Sequence, residues 1–163
     1  VSINISRKQL LRPEFSQQVK DVIRSTGVDP SRLHFEITET AVVDRLEVVC
    51  SNLRELRDAG SHIVIDDFGV GYSSLSSLYR LPVDVLKIDR SFIARIGKEK
   101  NGADLVKAII DISRALHLTL VAEGIETPEQ ATALIDLGCP VGQGFHYSPG
   151  VSAQAATTLL QTS

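Results

Sequence analysis

Short apolar runs alternate with longer amphipathic stretches along the whole chain. The runs are Val1–Ile5, Leu33–Ile37, Ile63–Ile65, Val85–Ile88, Leu118–Ala122 and Val141–Phe145. Rich in Val, Ile and Leu and nearly continuous, they have the pattern of strands buried on both faces of a parallel sheet. Between them, apolar positions recur at helical spacing over 14–26, 43–59, 73–80, 103–116, 128–137 and 152–161. Gly27 and Gly60 stand where two of these helices should stop, and Asp29-Pro30 marks a turn before the second strand. Thr127-Pro128-Glu129-Gln130 offers an N-cap, a proline at the first helical position and an acidic first turn. The polar run 97–102 reads as a loop.

Six successive βα units predict an α/β fold with a parallel sheet, either open and doubly wound or closed as a barrel. No GxGxxG follows the first run and no Walker lysine motif occurs. A TIM-like (β/α)8 barrel needs eight units in roughly 250 residues. The chain contains no methionine and opens directly in a strand-like run. The expectation is therefore one domain over 1–163, the C-terminal three-quarters of a barrel whose first strands lie upstream of Val1.

Composition narrows the class. Of 163 residues, 43% are hydrophobic and 23% charged, enough for a core and unlike a disordered segment. A net charge of −3 argues against nucleic acid or an anionic membrane as partner. No apolar run approaches the ~18 residues of a membrane span. Cys50 and Cys139 lie far apart without CxxC spacing, which suits a reduced, cytoplasmic setting.

Each predicted strand ends in a polar residue: Asn4, Glu36, Asp66 with Asp67, Lys87, Glu123 and Gln143. In a barrel these ends converge on one mouth, the usual seat of catalysis. Singly, such an acid is most often a helix N-cap; jointly they form a set. Two like charges ~4 Å apart repel by roughly 4 kcal/mol at an effective dielectric of 20, so four convergent carboxylates need protons or cations. Hard oxygen donors without His or Cys favour Mg²⁺ or Mn²⁺ over zinc. The adjacent pair Asp66-Asp67 can serve two ions, an arrangement suited to displacement at phosphorus. Lys87 leaves positive charge for an anionic substrate. Asp84 and Asp89 read as turn or pairing residues, and His34 and His62 as strand starts at the wrong end. Gly69–Ser74 reads as a mobile loop after the twin aspartates. Asp67-Phe68-Gly69 matches a kinase tripeptide, but no glycine-rich or HRD loop accompanies it.

These stretches resemble the EAL domain family of bacterial cyclic-di-GMP phosphodiesterases. The resemblance runs through VSINIS at 1–6 with Gln9-Leu10, Glu36-Ile37-Thr38-Glu39 and DDFGVGYSSL at 66–75. It continues through LKIDRSF at 86–92, AEGIET at 122–127 and GQGF ending at Phe145. It implies a TIM-like barrel that hydrolyses cyclic-di-GMP to linear pGpG with two ions, Mg²⁺ or Mn²⁺. By position, it implies Asn4, Glu36 and Asp66 on one metal, and Asp66, Asp67 and Glu123 on the second. Lys87 matches the residue that orients or deprotonates the attacking water. Gln143 and Glu126 match substrate-side or supporting groups, and Glu39 a residue that steadies the loop after Asp67. The family's Glu-Ala-Leu motif does not occur in these residues. A homodimer, and sensor or GGDEF-type domains in a parent that other domains can anchor to a membrane, are also compatible with the resemblance. The alternatives are a non-hydrolytic cyclic-di-GMP receptor and a protein-interaction module.

Overall fold

The computed structural model describes residues 1–39, 46–70 and 75–162. Strands β1 (Ser2–Asn4), β2 (His34–Thr38), β3 (His62–Phe68), β4 (Val85–Ile88), β5 (Thr119–Ala122) and β6 (Val141–Gly142) form one sheet. Its spatial order follows the chain from β1 to β6, and every neighbouring pair is parallel. The helices are α1 (Arg7–Leu10), α2 (Phe15–Thr26), α3 (Leu46–Asp58), α4 (Leu75–Arg80), α5 (Arg90–Ile93), α6 (Gly102–Ala115), α7 (Pro128–Leu137) and α8 (Ala153–Thr162). A sheet in sequential parallel order is the wall of a singly wound barrel, whereas a doubly wound sheet reverses its order partway.

The six predicted strands and six long helices all form, most within two residues of their expected bounds. The starts of two predicted helices, at 43–45 and 73–74, lie outside the described residues, as does 71–74 of the expected mobile loop. Three short elements escaped the pattern because they are too brief to show a period. Ser6 caps α1 through a reciprocal box with Gln9, Asp89 caps α5 by accepting from Ser91 N, and Asp29 caps a 3-10 turn at Pro30–Arg32. Strand β6 ends at Gly142, short of the predicted Phe145. Gln143 still donates its backbone N–H to Ala122 O and accepts from Ile125 N, so the chain bends onto the segment after β5.

The period of two along each strand sorts side chains between two faces. Phe35 and Ile37, Ile63 and Ile65, Leu86 and Ile88, and Leu120 and Ala122 pack into the helix-side core. There they meet Val49, Leu53 and Leu56 of α3, Val106 and Ile110 of α6, and Leu134 of α7. The alternate positions, including Glu36, Asp66 and Lys87, therefore face the other side. In α7, Thr127 and Gln130 close a capping box with Pro128 at the first position, as the sequence predicts.

Candidate functional site

Lys87 organises the concave face. It comes from the middle of the sheet and is 7% exposed. Its Nζ lies 2.6 Å from Glu123 Oε1, 3.1 Å from Glu36 Oε2 and 3.3 Å from Asp66 Oδ1. These partners come from β2, β3 and the residue after β5, so the tertiary fold alone brings them together. Burial works to lower the Lys87 pKa, yet the hydrogen bond and charge of Glu123, with Asp66 and Glu36, raise it above the ordinary lysine value. The ammonium stays charged. The Glu123 pKa is raised as well, which here disfavours the charged form: burial raises it, Lys87 opposes this, and the Asp66 charge adds to the rise. Gln143 Nε2 donates to Glu123 Oε1 at 2.5 Å, fixing the same oxygen that faces Lys87.

Asp67 is set by a tight backbone. Its φ of 55° is left-handed, and Asp66 Oδ1 accepts its N–H at 3.0 Å. Sheet register shifts between Ile65 and Phe68, so both aspartates reach the mouth despite being neighbours in a strand. Gly69 follows with φ 97°, and a Cβ there would stand 2.6 Å from the Phe92 ring. Only glycine fits under that ring. Glu39 Oε2 accepts the Gly69 N–H at 3.0 Å, tying the loop after Asp67 to the end of β2.

One carboxylate oxygen each from Asp66, Asp67 and Glu123 lies within 4.8 Å of the others. Burial, then the Asp66 and Asp89 charges, raise the Asp67 pKa against the opposing pull of Lys87 and Arg90. Three convergent, hard oxygen donors with surplus negative charge fit a divalent cation such as Mg²⁺ or Mn²⁺.

Glu123, Gln143 and Glu126 line a common cleft of about 640 Å³ together with Asp67, Asp89 and Arg90. Glu126 is exposed, and its backbone N–H donates to Gln130 Oε1, which holds the segment against α7. Asn4 stands opposite Glu36 in the β1–β2 register, so it shares that face. Its amide is exposed, and among the described residues it makes no hydrogen bond to the cluster. Asp84 is a pairing residue, as read: it accepts from Arg57 Nε at 2.8 Å and from Ile63 N at 2.9 Å. Asp89 caps α5 but also lines the cleft, and Arg90 was not singled out. Their signal was simple adjacency to the end of β4, the same end that carries Lys87. His34 and His62 open β2 and β3 at the opposite end, with ring centroids 4.9 Å apart.

The family model that matches this chain is the EAL domain, over residues 1–150. The chain is 38% identical over 161 residues, 99% of its length, to the cyclic di-GMP phosphodiesterase NbdA of Pseudomonas aeruginosa, of which it covers 21%. It spans only 18% to 25% of the length of curated relatives such as these. Among solved structures, the EAL domain of Mycobacterium smegmatis DcpA superposes with a TM-score of 0.93 at 40% identity, covering 99% of this chain and 72% of that one. Klebsiella pneumoniae BlrP1, in a complex with manganese and cyclic di-GMP, superposes at 0.80 with 32% identity, over 88% of this chain and 37% of that one. Motif order, sequential parallel sheet and convergent carboxylates agree with these matches: the chain belongs to the EAL domain family, as a partial TIM-like barrel.

Proposed function

We propose that these residues form the greater part of the catalytic EAL domain of a phosphodiesterase that hydrolyses one phosphodiester bond of cyclic di-GMP to give linear pGpG, using two Mg²⁺ or Mn²⁺ ions. The observation that carries this is the ring of carboxylates around Lys87, with Asp66, Asp67 and Glu123 within 4.8 Å of one another. Asn4, Glu36 and Asp66 would hold one ion, and Asp66, Asp67 and Glu123 the other. When bound, the ions supply Lewis-acid stabilisation to the phosphoryl oxygens. The residues do the rest. Lys87 keeps an ammonium at the centre of the mouth, where it orients the attacking water and balances charge as the phosphodiester enters. Gln143 fixes the orientation of Glu123, Glu126 faces substrate across the cleft, and Glu39 holds the loop that carries Asp67. Water oxygen adds to phosphorus, the bond from phosphorus to the sugar oxygen breaks, and that oxygen leaves with a proton.

The protein acts in the cytoplasm as a homodimer, with sensor or GGDEF-type domains in the same polypeptide. NbdA, named as a cyclic di-GMP phosphodiesterase, supports the reaction, and the manganese complex of BlrP1 supports the ion. No helix among the described residues is long and apolar enough to cross a membrane.

The test is chromatographic detection of pGpG from the full-length protein with Mn²⁺, beside Asp67→Asn and an EDTA-treated sample. Wild type alone should turn over, with Asp67→Asn down by about 100-fold or more. Binding without cleavage by the metal-loaded protein overturns the enzyme in favour of a receptor. Neither binding nor cleavage leaves the interaction module.

A further inference from the structure

The loop that carries Asp67 is pinned at Gly69 from two sides. On one, Glu39 Oε2 accepts the Gly69 N–H at 3.0 Å. On the other stands Phe92 of α5. A Cβ on Gly69 would lie 2.6 Å from Phe92 Cζ and 2.7 Å from Cε2, against 3.7 Å from Cε1, so the tip of the ring abuts the glycine. The contact ties the end of β3 to the short helix that follows β4.

Phe92 is itself held. Partly buried, it packs against the hydrophobic core, and the Arg95 guanidinium lies over its ring, 5.7 Å from the centroid. Arg95 is fixed in turn. Its Nε lies 3.9 Å from Glu99 Oε1, and Gly102, buried at the start of α6, passes so close to the Arg95 carbonyl that no Cβ fits between them. Contiguous contacts thus lead from α6 through Arg95 and Phe92 to Gly69, two residues from Asp67.

Asp67 needs such support. Its φ of 55° lies in the left-handed region, which side chains with a Cβ rarely adopt. Its N–H goes to Asp66 Oδ1, and its carbonyl oxygen receives the Val70 N–H at 3.4 Å. Without the clamp on Gly69 the backbone is free to relax to negative φ, which would turn the Asp67 carboxylate away from Asp66 and Glu123. We propose that Phe92 is a positioning residue: its ring tip, pressed on Gly69, holds Asp67 in the left-handed conformation that aims its carboxylate at those two acids. The proposal rests on the reading of Asp67 as an ion ligand, and names the apolar group that places it. Groups that orient metal ligands from behind are worth about 10- to 100-fold in metal affinity.

The test compares full-length wild type with Phe92→Leu, which removes the ring tip, Gly69→Ala, which drives a methyl group at it, and the double variant. Ile110→Val, a trimmed core residue of α6, controls for a general loss of packing. Calorimetric Mn²⁺ titration should place Phe92→Leu about tenfold or more below wild type in affinity, with Ile110→Val unchanged. Turnover of cyclic di-GMP at limiting Mn²⁺ should fall in Phe92→Leu and recover as Mn²⁺ is raised, with KM for the dinucleotide unchanged. Because Phe92→Leu and Gly69→Ala break one contact, their effects on Mn²⁺ affinity should not add. Unchanged affinity, a turnover loss that Mn²⁺ does not restore, additive effects, or an equal affinity loss in Ile110→Val would each overturn the proposal. If wild type binds Mn²⁺ but cleaves nothing, the phosphodiesterase reading fails and the titrations alone decide. If wild type binds no Mn²⁺, the ion reading fails and amide exchange decides. Faster exchange of residues 67–70 in Phe92→Leu than in Ile110→Val then supports the clamp, and equal exchange overturns it. Should Phe92→Leu not fold, Phe92→Met takes its place throughout.

Discussion

Asp67 and Glu123 hold protons more tightly in the folded chain than ordinary carboxylates do, because burial and the nearby Asp66 charge disfavour their ionised forms. The folded state then binds more protons than the unfolded one as pH rises past the ordinary carboxylate range. The metal-free protein therefore loses stability through that window, up to the raised values. A divalent cation bound there, as proposed, would take the place of those protons, so its affinity should climb steeply with pH. Below the raised values, each displaced proton weakens binding by up to about tenfold per pH unit. Calorimetric Mn²⁺ titrations from pH 5 to 7.5, in buffers of different ionisation enthalpy, should show rising affinity and proton release. A flat profile would refute this account. Lys87 itself was legible as a strand-end lysine. Its partners were not ranked by the sequence, since Glu36 and Glu123 stand 51 and 36 positions away along the chain.

Elements hold the site through a few buried polar ties. Asn52 of α3 is 2% exposed; its Nδ2 donates to Leu10 O at 2.8 Å and Arg12 O at 2.9 Å. It also accepts from Ser16 N at 3.4 Å, joining the segment between α1 and α2 to α3. Asn52→Leu would strip Leu10 O and Ser16 N–H of this partner, while Arg12 O keeps the Phe15 N–H at 3.1 Å, and each buried orphan costs about 1–3 kcal/mol. Thermal and urea melts should place the variant about 2–4 kcal/mol below wild type; a loss under about 0.5 kcal/mol would show that water replaces the amide. Nothing in the local sequence marks Asn52, which sits in an amphipathic helix like any polar residue. Helix α7, by contrast, spans Pro128–Leu137 as its capping box and proline announced. Strand β4 spans Val85–Ile88, also as read, because a short apolar run bounded by two aspartates has few alternatives.

The whole sheet has two terminal strands, and among the described residues β1 and β6 do not pair with each other. All of β1 is exposed. Beside it Ile3, Ile5, Phe15, Val19, Val22 and Val28 line an apolar groove of about 400 Å³. At the other end Val141 is exposed, as is Phe145 beyond it. Unpaired edges beside apolar surface recruit further chains. The 163-residue chain alone should self-associate, with a mass by light scattering that rises with concentration. A monodisperse monomer with one sharp unfolding transition would count decisively against this.

The sequence by itself determined the succession of strands and helices, the parallel sheet and the acidic, metal-suited character of the strand ends. Those properties are local: periodicity, caps and residue type act within a few positions. It also carried the family, through motifs spread along its length. Only the tertiary structure decided that the concave face gathers Glu36, Asp66 and Glu123 around one lysine. It alone made Asp89, read as a turn or pairing residue, a helix cap that also lines the cleft, and placed Arg90 over Gly124. Those outcomes depend on sheet register, on the bulge near Asp66 and on close backbone approach, which arise when distant segments pack and leave no mark on any one stretch of chain.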